Sequence, residues 1–339
     1  MIHVALVGFG GIAQSAHLPA YQALEKLGKA RLVAACDVDA KRFAVKPEIN
    51  IRAGEAGQSD IHFYTDLDTM LAAETVDMLD VCLPTYLHAP TALRLLKDGY
   101  HVLCEKPMAL HDADCQAMIE AAAASRKKLM IGQCLRFSAP YLYIKELAAS
   151  GEYGRPLSAT FRRFSGPPIW GWENWFMDKS KSGGCLLDMH IHDVDAARFL
   201  FGEPKEVSCV TQDVYSGLDI VHSRLYYEDF SVLAIGDWSQ ESVEFTADYR
   251  VAFEKATVIY ENGTVKTCPR GGTPFTPTLE DTDMYQGEIE ALVDAIAAQG
   301  DERLVSPESA AASVRMAGIL RESAKQGGKR LPFGKEKKV

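Results

Sequence analysis

The sequence has no stretch of about 18 uncharged apolar residues, so nothing in it reads as a bilayer-spanning helix. It has no C-x-x-C pair: its eight cysteines are scattered. Several of them (Cys36, Cys82, Cys104) lie in apolar, strand-like runs. They read as small buried hydrophobes in a reducing compartment, which argues against a disulfide scaffold. It has no surplus of basic residues. The formal net charge is −10, which argues against nucleic acid or an anionic membrane as the main partner. Internal repeats and low-complexity tracts are absent. The first strand-like run begins at Ile2, leaving no room for a signal peptide, and the tail GKEKKV carries no lipidation signal. The expectation is a cytoplasmic chain. Its 339 residues, 47% of them hydrophobic, suggest two domains with ample cores.

What is present is concentrated at the start. Ile2 to Val7 is short, apolar and β-branched, as a buried strand is. It runs into Gly8-Phe9-Gly10-Gly11-Ile12-Ala13, and a helix-like stretch follows. This is the G-x-G-x-x-G/A dinucleotide fingerprint in the context it requires. Gly8 permits the tight turn, Gly10 lets the backbone approach a pyrophosphate, and the small Ala13 allows close packing of helix on strand. The pyrophosphate then meets the free N–H groups at the helix start. A second strand, Arg31 to Cys36, ends at Asp37, where such a fold places the acid that bonds the ribose hydroxyls. A carboxylate there repels a 2′-phosphate and favours NAD. Arg42 could pair with that phosphate, which leaves NADP open.

Further along, Lys46 to Asp60 reads as a surface loop. Short strands are expected at His62 to Tyr64, Met78 to Leu83, His101 to Cys104 and Leu129 to Cys134. Helices alternate with them, one carrying Cys115, Met118, Ile119, Ala122 and Ala123 on one face. This alternation implies a parallel sheet wound on both faces, with ligands beyond the carboxyl ends of the strands. The fingerprint (Gly8 to Ile12), Asp37, the segment Leu83, Pro84, Thr85 to His88, and Glu105-Lys106 all occupy such ends. They are the expected cofactor-binding residues. After about Gln133 the pattern becomes strand-rich, from Glu206 to Lys266. That predicts an antiparallel sheet with one helix-covered face, the other free to pair with a second subunit.

A second constellation lies in GGCLLDMHIHDVD, Gly183 to Asp195. A helix opening near Asp188 puts Asp188 and His192 four residues apart on one face. A polar strip on an apolar helix is costly unless its groups are paired or working. A metal held by His190, His192, Asp188 and Asp193 is disfavoured, because residues two apart on a helix point about 200° apart. Oxidising a secondary alcohol requires a base for the hydroxyl proton and a carbon held against the nicotinamide. Lys106 can place a cation beside the alcohol oxygen, His192 suits proton transfer near neutral pH, and Asp188 can orient it. Arg136, Trp172 and Trp175 are weaker candidates for a sugar pocket, since indole faces suit the C–H faces of sugar rings and equally suit a core.

On VGFGGIA, Pro84 to His88, CEKP at Cys104 to Pro107, Arg136-Phe137 and GGCLLDMHIHDVD, the sequence resembles the Gfo/Idh/MocA oxidoreductases over nearly its whole length. The resemblance maps the family pattern D-x-G-x-H-x-x-D onto Asp188, His192 and Asp195, with His190 in place of the glycine; Tyr86 stands where asparagine is common. It implies a catalytic set of Lys106, Asp188 and His192, NAD or NADP as cofactor, sugars or cyclic polyols as substrates, and homodimers or homotetramers built through the C-terminal sheet. The expected fold is α/β: a Rossmann domain over residues 1–133, then an α+β domain over 134–339 with a large, mainly antiparallel open sheet, its terminal helices free to pack back on the first domain. The expected function is hydride transfer between a nicotinamide and a secondary alcohol. Two other readings remain: a reductase or dehydratase of keto- or nucleotide-sugars, and a non-catalytic dinucleotide sensor.

Overall fold

A computed structural model describes residues 1–44, 60–280, 282–298 and 304–334; most of the loop expected at Lys46 to Asp60 lies outside them. The chain divides into two compact units, Met1–Phe137 with Thr282–Ala311, and Ser138–Asp281 with Ala312–Val339.

The first unit is built on a six-stranded parallel sheet of order β3-β2-β1-β4-β5-β6. Its strands are β1 (Ile2–Val7), β2 (Ala30–Cys36), β3 (His62–Tyr64), β4 (Met78–Val81), β5 (His101–Glu105) and β6 (Leu129–Gly132). Strands β4 and β6 are buried along their whole length, which is why they read as near-continuous apolar runs, broken only by Asp80 in β4, rather than alternating ones. After β1 the chain passes through a π-helical turn, Ala13–His17, into helix α1 (Leu18–Lys26), with Pro19 in the first turn of α1 where its missing N–H costs nothing. Asp66 caps α2 (Leu67–Ala73) by accepting from the Thr69 N–H at 2.8 Å. Helices α3 (His88–Lys97) and α4 (Asp112–Ser125) complete the crossovers. The expected apolar face of α4 is narrower than its pattern suggested: Cys115, Met118 and Ala122 are buried, while Ala123 is exposed. The sixth strand stops at Gly132, and Cys134–Phe137 forms a short 3-10 turn instead.

The second unit carries an eight-stranded sheet of order β13-β12-β11-β7-β10-β9-β8-β14. Its strands are β7 (Pro156–Phe164), β8 (Glu206–Gln212), β9 (Ile220–Tyr226), β10 (Ser231–Asp237), β11 (Thr246–Phe253), β12 (Ala256–Glu261), β13 (Thr264–Pro269) and β14 (Leu331–Pro332). Every pairing is antiparallel except β7 with β10. Burial alternates along the strands. Phe161, Val221, Leu225, Val232, Tyr249 and Val251 point inward, and their neighbours face out. One face is therefore a core and the other is not, as an open antiparallel sheet allows. Among the described residues no helix is long and apolar enough to cross a membrane.

Candidate active site

The glycine turn is built as its residue types demand. Gly8 has φ +94°, and a Cβ there would lie 2.6 Å from the Cys82 carbonyl oxygen, so no other residue fits. At Gly10 a Cβ would meet no protein atom within 4 Å, which leaves the backbone approachable from outside. Ala13 is wholly buried between helix and sheet. The turn is pinned by two side chains. Asp37 accepts from the Phe9 N–H at 2.8 Å with one carboxylate oxygen and from the Asp39 N–H at 2.9 Å with the other. Gln14 donates to the Phe9 and Arg42 carbonyls at 2.8 and 2.9 Å. The Phe9 ring packs against Phe63 and Phe43. Arg42 lies 3.9 Å from Asp39. A turn only glycine can make, an approachable second glycine and a carboxylate held at the end of β2 together fit a dinucleotide.

The ends of β1, β4 and β5 are neighbours in the sheet, so three expected segments converge. Thr85 is buried in a 3-10 turn, Thr85–Leu87, that follows Pro84 and leads into α3. His88 is buried and spends both ring nitrogens on the backbone, 2.8 Å from the Pro107 carbonyl and 2.7 Å from that of Leu83. Burial holds it below the ordinary histidine range, and the two carbonyl bonds offset this only in part. His88 thus ties the Leu83 turn to the turn after Lys106. Glu105 is buried and accepts the Lys106 N–H at 3.0 Å. The Lys106–Pro107 peptide is cis.

In the second unit the segment expected as one helix is two. One helix, Gly184–Asp188, ends at Asp188, and a second, Ile191–Phe201, begins after a two-residue break. The His190 N–H reaches back to the Cys185 carbonyl at 2.8 Å, five residues earlier, and displaces the regular ladder. The premise that Asp188 and His192 stand one above the other on a continuous helix is therefore corrected. Asp188 closes the first helix, His192 lies in the first turn of the second, and both are half-buried.

His190, in place of the pattern's glycine, is wholly buried and bonds the Ser223 hydroxyl at 2.7 Å. Asp193 receives a two-pronged bond from Arg163, at 3.0 and 3.1 Å. Burial raises its carboxyl and Arg163 reverses only part of that. Asp195 accepts from the Ser313 hydroxyl at 2.7 Å. Trp175 is buried and stacks on Phe176 with ring centroids 3.9 Å apart, while Trp172 is half-buried. Arg136 lies in the first unit, donating to the Ser309 hydroxyl at 2.8 Å.

Glu105, which accepts the Lys106 N–H, belongs to a buried cluster whose other members, His17, Tyr21, Asp80 and Glu288, the motifs did not point to. One signal was available. Asp80 is the lone charge in the otherwise apolar run Met78 to Leu83, and a charge in a buried strand needs a partner.

An open parallel sheet of order 3-2-1-4-5-6, a glycine turn after its first strand and an acid after its second define the class: a dinucleotide-binding α/β protein with a second, sheet-based unit. Residues 2–133 match the model of the oxidoreductase family with an NAD-binding Rossmann fold, and residues 141–266 match the GFO/IDH/MocA C-terminal domain. The chain belongs to the GFO/IDH/MocA oxidoreductase family. Over 330 residues it is 28% identical to D-xylose 1-dehydrogenase (NADP(+)) 2 of Haloferax volcanii, covering 95% of this chain and 97% of that one. It is 33% identical over 153 residues to 2,7-anhydro-N-acetylneuraminate hydratase of Escherichia coli, a stretch covering 43% of this chain and only 39% of the relative's length. Its fold matches that of aldose-aldose oxidoreductase from Caulobacter crescentus, crystallised with glycerol, at a TM-score of 0.82, 24% identity and coverage of 98% and 99%.

Proposed function

We propose that this chain is an NAD(P)-dependent dehydrogenase that transfers a hydride between the nicotinamide and a secondary alcohol of a sugar or cyclic polyol. The observation that carries the reading is the adjacency of three strand ends: the glycine turn of β1, the Leu83-to-His88 turn of β4 and Glu105-Lys106 of β5. The backbone of Gly8 to Ile12 would hold the pyrophosphate and Asp37 the ribose hydroxyls, with Leu83, Pro84 and Thr85 along the cofactor's path. When bound, the cofactor supplies the hydride acceptor or donor. Lys106 places a positive charge at the alcohol oxygen, His192 takes or returns the hydroxyl proton, and Asp188 orients His192. Trp172, Trp175 and Arg136 are the weaker candidates for substrate contacts. The first unit binds cofactor. The second binds substrate and, through the uncovered face of its eight-stranded sheet, a second copy of the chain in a homodimer or homotetramer.

Asp37 favours NAD, and the name of the Haloferax volcanii relative keeps NADP in view. The test is turnover across a panel of inositols and hexoses with both cofactors. Lys106→Ala should lower turnover by about 10²- to 10⁴-fold, the usual worth of positioned proton-transfer chemistry, with NAD affinity nearly intact. Retained turnover would make the lysine structural. Asp37→Ala should weaken NAD and relax discrimination against NADP; an unchanged preference removes Asp37 from that role.

A second reading follows the Escherichia coli relative's name, hydratase: net addition or removal of water at a sugar, with the same residues moving protons. Sugar products formed with no net change in NADH absorbance would favour it over the first.

A further inference from the structure

Five elements of the first unit bury polar groups against one another below Lys106. His17, at the end of the π-helical turn, lies 2.7 Å from Asp80 through Nδ1 and 3.0 Å from Glu105 through Nε2. Tyr21 of α1 donates to Asp80 at 2.8 Å, and the Cys82 thiol lies 3.5 Å from the same carboxylate. The other oxygen of Glu105 accepts the Lys106 N–H at 3.0 Å. Glu288, on the helix Met284–Ala298, is wholly buried. Among the described residues neither of its carboxyl oxygens has a hydrogen-bond partner, and the Gln133 side-chain nitrogen is likewise without one. Donor atoms of His17, Glu105 and Glu288 lie within 4.8 Å of one another.

We propose that His17 is a positioning residue for Lys106, acting through Glu105, with Glu288 as the uncharged carboxyl beside them. The proposal rests on the reading of Lys106 as the group beside the alcohol oxygen. Each partner is a charged acceptor, so one on either side of the ring stabilises the imidazolium with hydrogen on both nitrogens, which the neutral carbonyls around His88 do not. His17 is therefore a cation bridging β4 and β5, and the carboxylate it holds fixes the main chain that bears Lys106.

Three carboxyls surround this single cation. Burying all three ionised is prohibitive, so one keeps its proton. Asp80 and Glu105 each accept several hydrogen bonds, whereas Glu288 accepts none, so Glu288 is the neutral acid. The electrostatics agree. Burial pulls His17 down, and Asp80, with Cys82 adding, more than reverses it. Burial raises Glu105, yet its bond to His17 takes it below the usual value. Burial and then Glu105 drive Glu288 well up. The titratable and charged groups that face His17, Glu105 and Glu288 are Tyr21, Asp80, Cys82, His88, Lys106, Asp283 and Tyr285.

The function of the cluster is to give Lys106 a rigid floor. A charged imidazole tying two strand ends together resists the small displacement that would carry the ammonium away from a reacting oxygen, and misplacement by about 1 Å is worth up to about 10²-fold in rate.

The test uses the full chain, and part of it needs no substrate. In histidine-directed 15N spectra at pH 7.5, His17 should carry protons on both ring nitrogens; a neutral tautomer overturns the proposal. His17→Gln keeps one donor for Glu105 but removes the bridge. Hydrogen exchange of the Lys106 amide should rise about 10-fold or more, with amides in β1 and β2 unchanged; exchange that does not rise, or rises everywhere equally, overturns it. Turnover should fall about 10- to 100-fold in kcat, with KM and NAD binding little changed. Should Lys106→Ala itself stay active, the reading of Lys106 fails. Should Lys106→Ala be inactive while His17→Gln keeps full kcat, the positioning role alone fails.

Glu288→Gln gives a separate handle. A carboxyl whose folded pKa lies above its unfolded one stabilises fully at low pH and loses that contribution as the pH rises. The fall in Tm between pH 5.5 and 8.5 should therefore be shallower in Glu288→Gln than in the parent; an equal slope, or a stoichiometric metal ion in the purified protein, overturns the neutral acid.

Discussion

His17 in the first unit and His190 in the second are both completely buried, yet they sit at opposite ends of the histidine range. His17 lies between the carboxylates of Asp80 and Glu105 and is held well above 6.5. His190 faces the Ser223 hydroxyl and the Gly236 backbone, and burial, with Arg163 adding, takes it down to about 3. Burial acts in the same direction on both, disfavouring the charge. Only the presence of fixed negative partners reverses the outcome. The second unit places its buried positive charge elsewhere, on Arg163 against Asp193, and leaves His190 as a neutral hydrogen-bonding group. A buried charge survives in each unit where geometry gives it a matched partner.

Breaking the charged arrangement should cost most. Asp193→Ala strands a buried guanidinium and His17→Leu strands two carboxylates, and each should destabilise by about 3–5 kcal/mol in denaturant unfolding. A loss under about 1 kcal/mol in either would mean that water reaches the site and the comparison fails. Removing the neutral histidine should cost less. His190→Leu forfeits one hydrogen bond and leaves the Ser223 hydroxyl to find another, about 1–3 kcal/mol. An effect as large as that of His17→Leu would show His190 charged after all.

The finest distinction is in pH. The folded value of His17 is raised, so its stabilisation is complete below 6.5 and is lost as the pH climbs toward that raised value. The folded value of His190 is depressed, so its contribution is complete above 6.5 and fades as the pH falls from there toward 3. Each slope is at most about 1.4 kcal/mol per pH unit. From pH 5 to 8 the pH slope of the unfolding free energy should depart from the parent's with opposite sign in the two variants; slope changes of the same sign would remove the contrast.

What could be read in advance, and what could not, follows the same division. The glycine turn was legible because backbone conformation restricts residue type: φ +94° beside a carbonyl admits only Gly8. The alternation of strands and helices and the acid at Asp37 are likewise local. The one-helix reading of Asp188 and His192 failed on a local feature with a non-local cause. His190 is drawn inward to bond Ser223, thirty-three residues later in the chain, and the helix breaks there. Ala123 was misplaced because an alanine fits either side of a helix.

Residues close in sequence therefore wrote the strands, the glycine turn, the acid that grips it and the family to which the chain belongs, since each depends on torsion angles and periodicity that neighbours alone impose. The protonation of His17, the neutral state we assign to Glu288 and the pairing of Arg163 with Asp193 were settled by folding. They depend on which charges from distant segments are brought within about 3 Å in a medium that excludes water, and no spacing along the chain encodes that distance.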